Sequence, residues 1–330
     1  MKTQILASTL LILCTIVSLD AFAWGRRGHQ IVAENGALLA SAEKDANFLR
    51  GHSFDFGYYA NVPDFIWKRP ATYSVERNEH FVDLEIFERE KAKHPDVTKP
   101  FELTRKEFET QFPEVKADAG RAFWRIREMN DQLTAVTTQL REMKEQTGPA
   151  RQKLQEQWLL LAGTMAHYIG DLSMPLHVSE NYDGQLTGQK GIHGYFEEVM
   201  VDQLYPGLNS EVNRESLKQW PAFKKANASK SVQELMEAIA LRSQKAIPKL
   251  LAMDKKSKRE DLKKNAEMYH ALIRERLVDS TLALAEVYSR QVGWAFDDNK
   301  FFFMAGEPAY IAPAEGAPPA PAPANEKAKQ

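Results

Sequence analysis

The sequence predicts an all-α fold, and three observations predict it. Apolar residues recur at three- and four-residue steps over long stretches. Runs that alternate apolar and polar residues are scarce, with Val and Ile dispersed along the chain. A Gly148-Pro149 break separates two long periodic runs, as a turn between helices would.

Residues 1–23 read as a signal peptide. Lys2 gives a positive start, residues 5–19 form an apolar core, and Ala21-Phe22-Ala23 fits a small-x-small cleavage site. The apolar run is shorter than the roughly 20 residues of a membrane span, so an uncleaved anchor is the weaker alternative. Leu13 before Cys14, with more apolar residues following, argues against a lipoprotein. Cleavage would leave Trp24 first and place the protein outside the cell or in a periplasm. No later stretch is long and apolar enough to span a membrane.

The next elements follow in order. Residues 27–42 read as a first helix. Residues 52–82 are aromatic and punctuated by prolines, and read as short helices and loops. Phe123, Ile126, Leu133, Val136, Leu140 and Met143 continue past the break into Leu154, Trp158, Leu161, Met165 and Tyr168, which predicts an antiparallel hairpin of long helices over about 120–172. A helix is expected from Val199 onward, and long helices around 230–250 and 258–291. These make one domain over 24–305. Residues 306–330 are rich in Pro and Ala and predict a disordered or extended polyproline-like tail. No internal repeat is visible.

Composition narrows the function. A net charge of -2 argues against a protein that tracks long nucleic acid electrostatically, but not against an enzyme that grips a few nucleotides. Apolar content of 43% supports a packed core. Cys14 is the only cysteine, so the mature chain has no disulfide or thiolate chemistry.

The strongest chemical signal is "HYIGDLSMPLH", residues 167–177. His167 and Asp171 are four apart and share a helix face. Pro175 should end or kink that helix, letting His177 point back at the same place. Further on, His193 and Glu197 in "GIHGYFEE" repeat the four-residue step. One such pair alone is more often a surface or core hydrogen bond. Two pairs with a His between them suit a metal such as zinc, which takes nitrogen and carboxylate ligands. Upstream, His29, Asp64 and His80 are further candidates. Each alone also fits a structural role: Asp64 as a helix cap after Pro63, His80 as a half-buried hydrogen-bonding side chain. Asp83 ranks below them. His52, His94 and His270 lack partner spacing and read as ordinary residues.

"WGRRGH" at the start of the mature chain, an Asp in an aromatic segment, "HFVD", "HYIGDLSMPLH" and a later His-x-x-x-acid pair resemble the zinc-dependent single-strand nucleases and the related bacterial phospholipases C. The resemblance runs from Trp24 to about Asp202 and is one of order and spacing. It implies an all-α fold with three zinc ions in one cleft. Trp24, through its freed amine and its carbonyl, and His29 would hold one zinc, with Asp171 bridging. Asp64, His80, His167 and Asp171 would hold a second, and His177, His193 and Glu197 the third. Asp64 would also help orient or deprotonate the attacking water.

Within that group the signals are mixed. The N-terminal motif and "HFVDLE" look like the nucleases. The short link before His193 and the final Glu197 look like phospholipase C. The nuclease Arg is replaced by Trp67, with Lys68 beside it; Lys68 reads as a solvated lysine more readily than as a phosphate contact. Met174 stands in place of the usual Gln. The hairpin is longer than in either group and reads as a packing extension before a substrate- or partner-facing element. Tyr58, Tyr59, Phe65 and Trp67 are candidates for base stacking, core or lipid contact. The resemblance thus implies a monomeric, secreted zinc phosphodiesterase that hydrolyses single-stranded DNA or RNA with a metal-activated water. The alternatives are a phospholipase C acting on phospholipid headgroups, and a zinc-binding helical protein without turnover.

Overall fold

A computed structural model describes residues 24–43, 46–297 and 308–314. The described residues contain helices and no β-strand, with one isolated bridge between Val82 and Gly120. The all-α expectation holds for them, and no described helix is long and apolar enough to cross a membrane. The expected signal peptide lies outside the described residues, as does most of the expected tail.

The first helix, α1 (Gly25–Ala40), begins two residues earlier than its apolar pattern suggests. Trp24 precedes it in left-handed backbone (φ 35°), and its indole N–H donates to Ser173 Oγ at 2.9 Å. Burying that large ring fixes where the helix begins. The aromatic stretch forms short pieces, as its prolines predict: α2 (Asn47–Gly51), α3 (Ser53–Tyr59), a π-helix Pro63–Trp67, α4 (Tyr73–Glu76) and a 3-10 turn Arg77–His80. Two more short helices follow, α5 (Leu84–Lys91) and α6 (Arg105–Gln111); Thr104 and Glu107 cap α6 reciprocally.

The helical hairpin is α7 (Ala122–Glu142) and α8 (Pro149–Ser173). Contacts from Arg151 to Leu140, Trp158 to Thr137 and Arg125 to Tyr168 run in opposite chain directions, so the pair is antiparallel. From Trp158 to Ser173 every residue of α8 is buried. That half is enclosed by α1, α3 and α7 and by the later helices named below. A Cβ on Gly163 would stand 2.4 Å from Tyr59 Cβ, so α3 approaches α8 this closely only over a glycine. His167 and Asp171 are therefore polar groups inside a core, where an unpaired charge is expensive.

Beyond Ser173 the chain turns. Met174 takes an extended conformation before Pro175, ending α8 as expected, and a 3-10 turn Pro175–Val178 carries His177. The segment α9 (Ile192–Gly194) leads into a π-helix Tyr195–Val199. The helix expected from Val199 is short, α10 (Met200–Leu204), and a separate helix α11 (Gly207–Asn227) follows Pro206. The last two are α12 (Val232–Asp254), capped by Ser231 and Glu234, and α13 (Leu262–Gln291). α13 packs against α1, α8, α10, α11 and α12.

The tail expectation needs one correction. Residues 308–314 lie against the domain without helix or strand. Arg125 donates to Ile311 O at 2.6 Å, Ala314 N–H to Glu128 at 3.2 Å, and the Tyr310 ring meets Trp67 edge-on at 5.4 Å. A Pro/Ala-rich composition concealed the aromatic and aliphatic pair, Tyr310 and Ile311, that packs on the core.

Candidate metal centre

Three helix faces and three turns deliver the candidate ligands to one place. His29 comes from α1, Asp64 from the π-helix, His80 from the 3-10 turn before α5, His167 and Asp171 from α8, His177 from the turn after Pro175, and His193 and Glu197 from α9 and its π-helix. They form three groups whose ligand atoms lie within 4.8 Å of one another: His29, His167 and Asp171; Asp64, His80 and His167; and His177, His193 and Glu197. All eight residues are buried.

Asp171 sits at the junction. Its Oδ1 is 3.3 Å from His29 Nε2, and its Oδ2 is 3.2 Å from His80 Nδ1 and 3.3 Å from His167 Nε2. The His29 and His167 rings stack at 3.8 Å. A Cβ on Gly170 would stand 3.0 Å from His29 Nδ1, so the glycine before Asp171 makes room for that ring. Asp64 Oδ1 lies 3.7 Å from His80 Nδ1 and 3.8 Å from His167 Nε2.

Main-chain carbonyls set the tautomers. His167 Nδ1–H donates to Ala60 O at 2.8 Å, His177 Nδ1–H to His80 O at 2.7 Å, and His193 Nδ1–H to Tyr182 O at 2.6 Å. A carbonyl only accepts, so in each neutral ring Nε2 keeps its lone pair, turned into the cluster. This is the outer support that metal-ligating histidines carry.

Electrostatics points the same way. Burial pushes Asp171 well above the carboxylate range, and Asp64 pushes further. Burial pushes Glu197 up to about 7, against the pull of His193. Burial holds His80, His167 and His177 well below the usual histidine range. Burial lowers His193 too, but Glu197 outweighs it and the net shift is upward. Burial would raise Asp64, yet Lys68, His80 and His29 bring it below its ordinary value. Asp64 Oδ2, Asp171 Oδ1 and Glu197 Oε1 are buried and accept no hydrogen bond. Three carboxyl groups, neutral imidazoles and orphaned acceptors fit a cation, so these groups can hold metal ions.

Lys68 is a correction to the sequence reading. It is not a solvated side chain: its Nζ donates to Asp64 Oδ1 at 2.7 Å inside the site. The π-helix turn brings it there, with Lys68 N–H donating to Pro63 O at 3.0 Å. Burial lowers its pKa, but the Asp64 carboxylate outweighs this, so it stays an ammonium. A cavity of about 300 Å³ opens over the cluster, lined by Lys68, Arg77, His80, Asp83, His177 and His193. Asp83 borders this cavity and joins none of the three groups.

Three residues that the sequence reading did not single out support His80 from behind. Glu76 Oε1 lies 3.4 Å from His80 Nε2 and accepts from Tyr168 Oη, while Arg125 stands 3.5 Å from Glu76 Oε2. Glu76 is four residues before His80 and Tyr168 follows His167, so helical spacing held a faint signal. Trp24 lies beside the first group: a Cβ on Gly170 would be 3.8 Å from its ring as well. Its carbonyl accepts from Gly28 N–H at 3.1 Å. The remaining histidines are ordinary, as expected. His52 pairs with Asp55, His270 with Glu211, and His94 packs on Phe112.

No family model matches the chain, and neither a curated protein nor a solved structure matches it.

Proposed function

We propose that the chain is a zinc-dependent phosphodiesterase acting on single-stranded nucleic acid. One observation carries this reading: three adjoining groups of buried His and carboxylate ligands, with carbonyl-fixed Nε2 lone pairs turned inward, beneath a cavity that also holds a buried ammonium. His29 and Asp171, with the Trp24 carbonyl and freed amine, would hold one ion. Asp64, His80, His167 and Asp171 would hold the second, and His177, His193 and Glu197 the third. When bound, such ions supply Lewis-acid stabilisation of phosphoryl oxygens and acidify a water.

The chain's own residues do the rest. Asp64, kept ionised by Lys68, accepts a proton or orients the water. Lys68 and Arg77 offer positive charge to a phosphodiester in the cavity. Glu76, Tyr168 and Arg125 hold the His80 ring in place. Release of residues 1–23 would free the Trp24 amine, so the centre would be complete only after export.

A phospholipase C shares this centre, and the short His177–His193 link with Glu197 as last ligand favours it as the second reading. The test is cleavage by purified protein from Trp24 onward, with zinc and a chelator control. Single-stranded DNA, RNA and phosphatidylcholine vesicles are offered in parallel. Chelator-sensitive cleavage of nucleic acid is expected. Headgroup release alone would replace the reading with phospholipase C, and tight zinc without turnover would leave a binding protein. One extra residue before Trp24 should sharply lower activity; unchanged activity would remove the amine from the ligand set.

A further inference from the structure

The π-helix Pro63–Trp67 separates two cavities. Asp64 and Lys68 face the metal cluster, whereas Phe65 faces a second cavity of about 320 Å³ between α1 and α3. Its walls include Arg26, Gln30, Phe54, Tyr58, Asn61 and Phe65. Three of these are large rings open to solvent, with Phe54 69% exposed and Tyr58 and Phe65 45% exposed. Phe54 and Tyr58 stand four apart on α3 and present their rings on one face. Arg26 lies 4.8 Å over the Phe65 ring.

Resting on the phosphodiesterase reading, we infer that this second cavity is a nucleobase subsite for single-stranded nucleic acid whose phosphodiester occupies the metal cavity. The match is chemical. Exposed rings give flat faces for stacking, which suits any base. The Gln30 and Asn61 carboxamides donate to Glu34 Oε1 and to Gly57 O, which leaves the Gln30 oxygen as an acceptor for a base edge. Arg26 supplies a cation for a neighbouring phosphate and a planar group for stacking. Continuity places it: Asp64 and Phe65 are consecutive residues, so a strand crossing the π-helix passes from the ligand cluster to the rings. A lipid surface would use the rings as well, but continuity with the metal cavity, which a strand can span, favours nucleic acid.

The experiment compares the zinc-loaded wild type with Phe54→Ala, Tyr58→Ala and Tyr58→Phe. It measures kcat/KM for a single-stranded oligothymidylate against bis(p-nitrophenyl) phosphate, a small diester that cannot span the two cavities. Binding of a phosphorothioate oligothymidylate and of phosphatidylcholine vesicles is measured beside it. The ratio of oligomer to small-diester kcat/KM should fall about tenfold in each Ala variant and return in Tyr58→Phe, which keeps the ring. An unchanged ratio, with a wild type that cleaves both, overturns the subsite and leaves the phosphodiesterase. A wild type that cleaves neither overturns the phosphodiesterase; the subsite then stands if Ala variants lose oligomer binding and falls if they do not. Loss of vesicle binding with intact oligomer binding makes the face a lipid contact and overturns the inference.

Discussion

The Nε2 atoms of His177 and His193 lie 3.1 Å apart, while both rings donate their Nδ1–H to main-chain carbonyls. With both rings neutral, this arrangement would aim lone pairs at each other, with Glu197 Oε2 only 3.0 Å from His193 Nε2. A proton shared with Glu197 or a bound metal ion relieves that repulsion. Glu197→Gln keeps the shape and removes the charge, so it should release one zinc per chain and lower phosphodiester cleavage by at least about 100-fold. Elemental analysis of the purified variant checks this. Full zinc content with full activity would take Glu197 out of the ligand set.

Lys68 is held by Asp64 inside the site, so under the proposed function its charge would act on the substrate. Lys68→Gln should keep bound zinc and lower kcat by about 10- to 100-fold, as removal of a transition-state donor does. Steady-state kinetics beside metal analysis decides it. Zinc loss without a defect in the remaining loaded enzyme would make Lys68 a purely structural partner of Asp64.

Gly170 borders both His29 and Trp24. A methyl there would press on His29 Nδ1 at 3.0 Å. Alanine favours the helix by about 1 kcal/mol, so Gly170→Ala should melt near the wild type yet hold less zinc at the His29–Asp171 group. Wild-type zinc content would mean that the ring relaxes without cost.

The segment 308–314 braces the π-helix and Arg125 through Tyr310 and Ile311. A chain ending at residue 307 should lose about 2–3 kcal/mol of stability, from a half-buried ring and lost hydrogen bonds. It should also bind zinc less tightly, because Trp67 and Asp64 share the braced π-helix. A chain ending at 314 should behave as full length. Equal melting curves for the two truncations would show that the contacts contribute nothing.

Asp83 is 8% exposed, and burial, with Glu85, Glu180 and Asp118 nearby, pushes its carboxyl from 3.8 up to about 7. The folded state therefore keeps this proton when the unfolded chain has released it, and stability falls as pH rises from about 4 to about 7. In chelated protein, Asp83→Asn should match the wild type at pH 3 and exceed it at pH 8 by on the order of 2–4 kcal/mol. Urea titrations across pH give the comparison. A constant difference at all pH values would mean the carboxyl does not titrate in that window.

Much of the candidate centre was legible because helices impose a period. His167 with Asp171, and His193 with Glu197, share faces at a four-residue step, and Pro175 marks the turn that brings His177 back. The sequence by itself determined the helical class and the hairpin, and it marked the eight side chains as candidates, His29, Asp64 and His80 as ligands only through the resemblance. Only the tertiary structure decided how they meet. Main-chain carbonyls of Ala60, His80 and Tyr182 fix the tautomers, and a carbonyl has no letter in a sequence. A π-helix turns Lys68 inward and Phe65 outward, a choice that depends on one extra residue per turn. Tyr310 and Ile311 bind a surface made by residues far from them in the chain. Local periodicity is a property of neighbours in sequence; burial, protonation and bracing belong to groups that become neighbours only when the core closes.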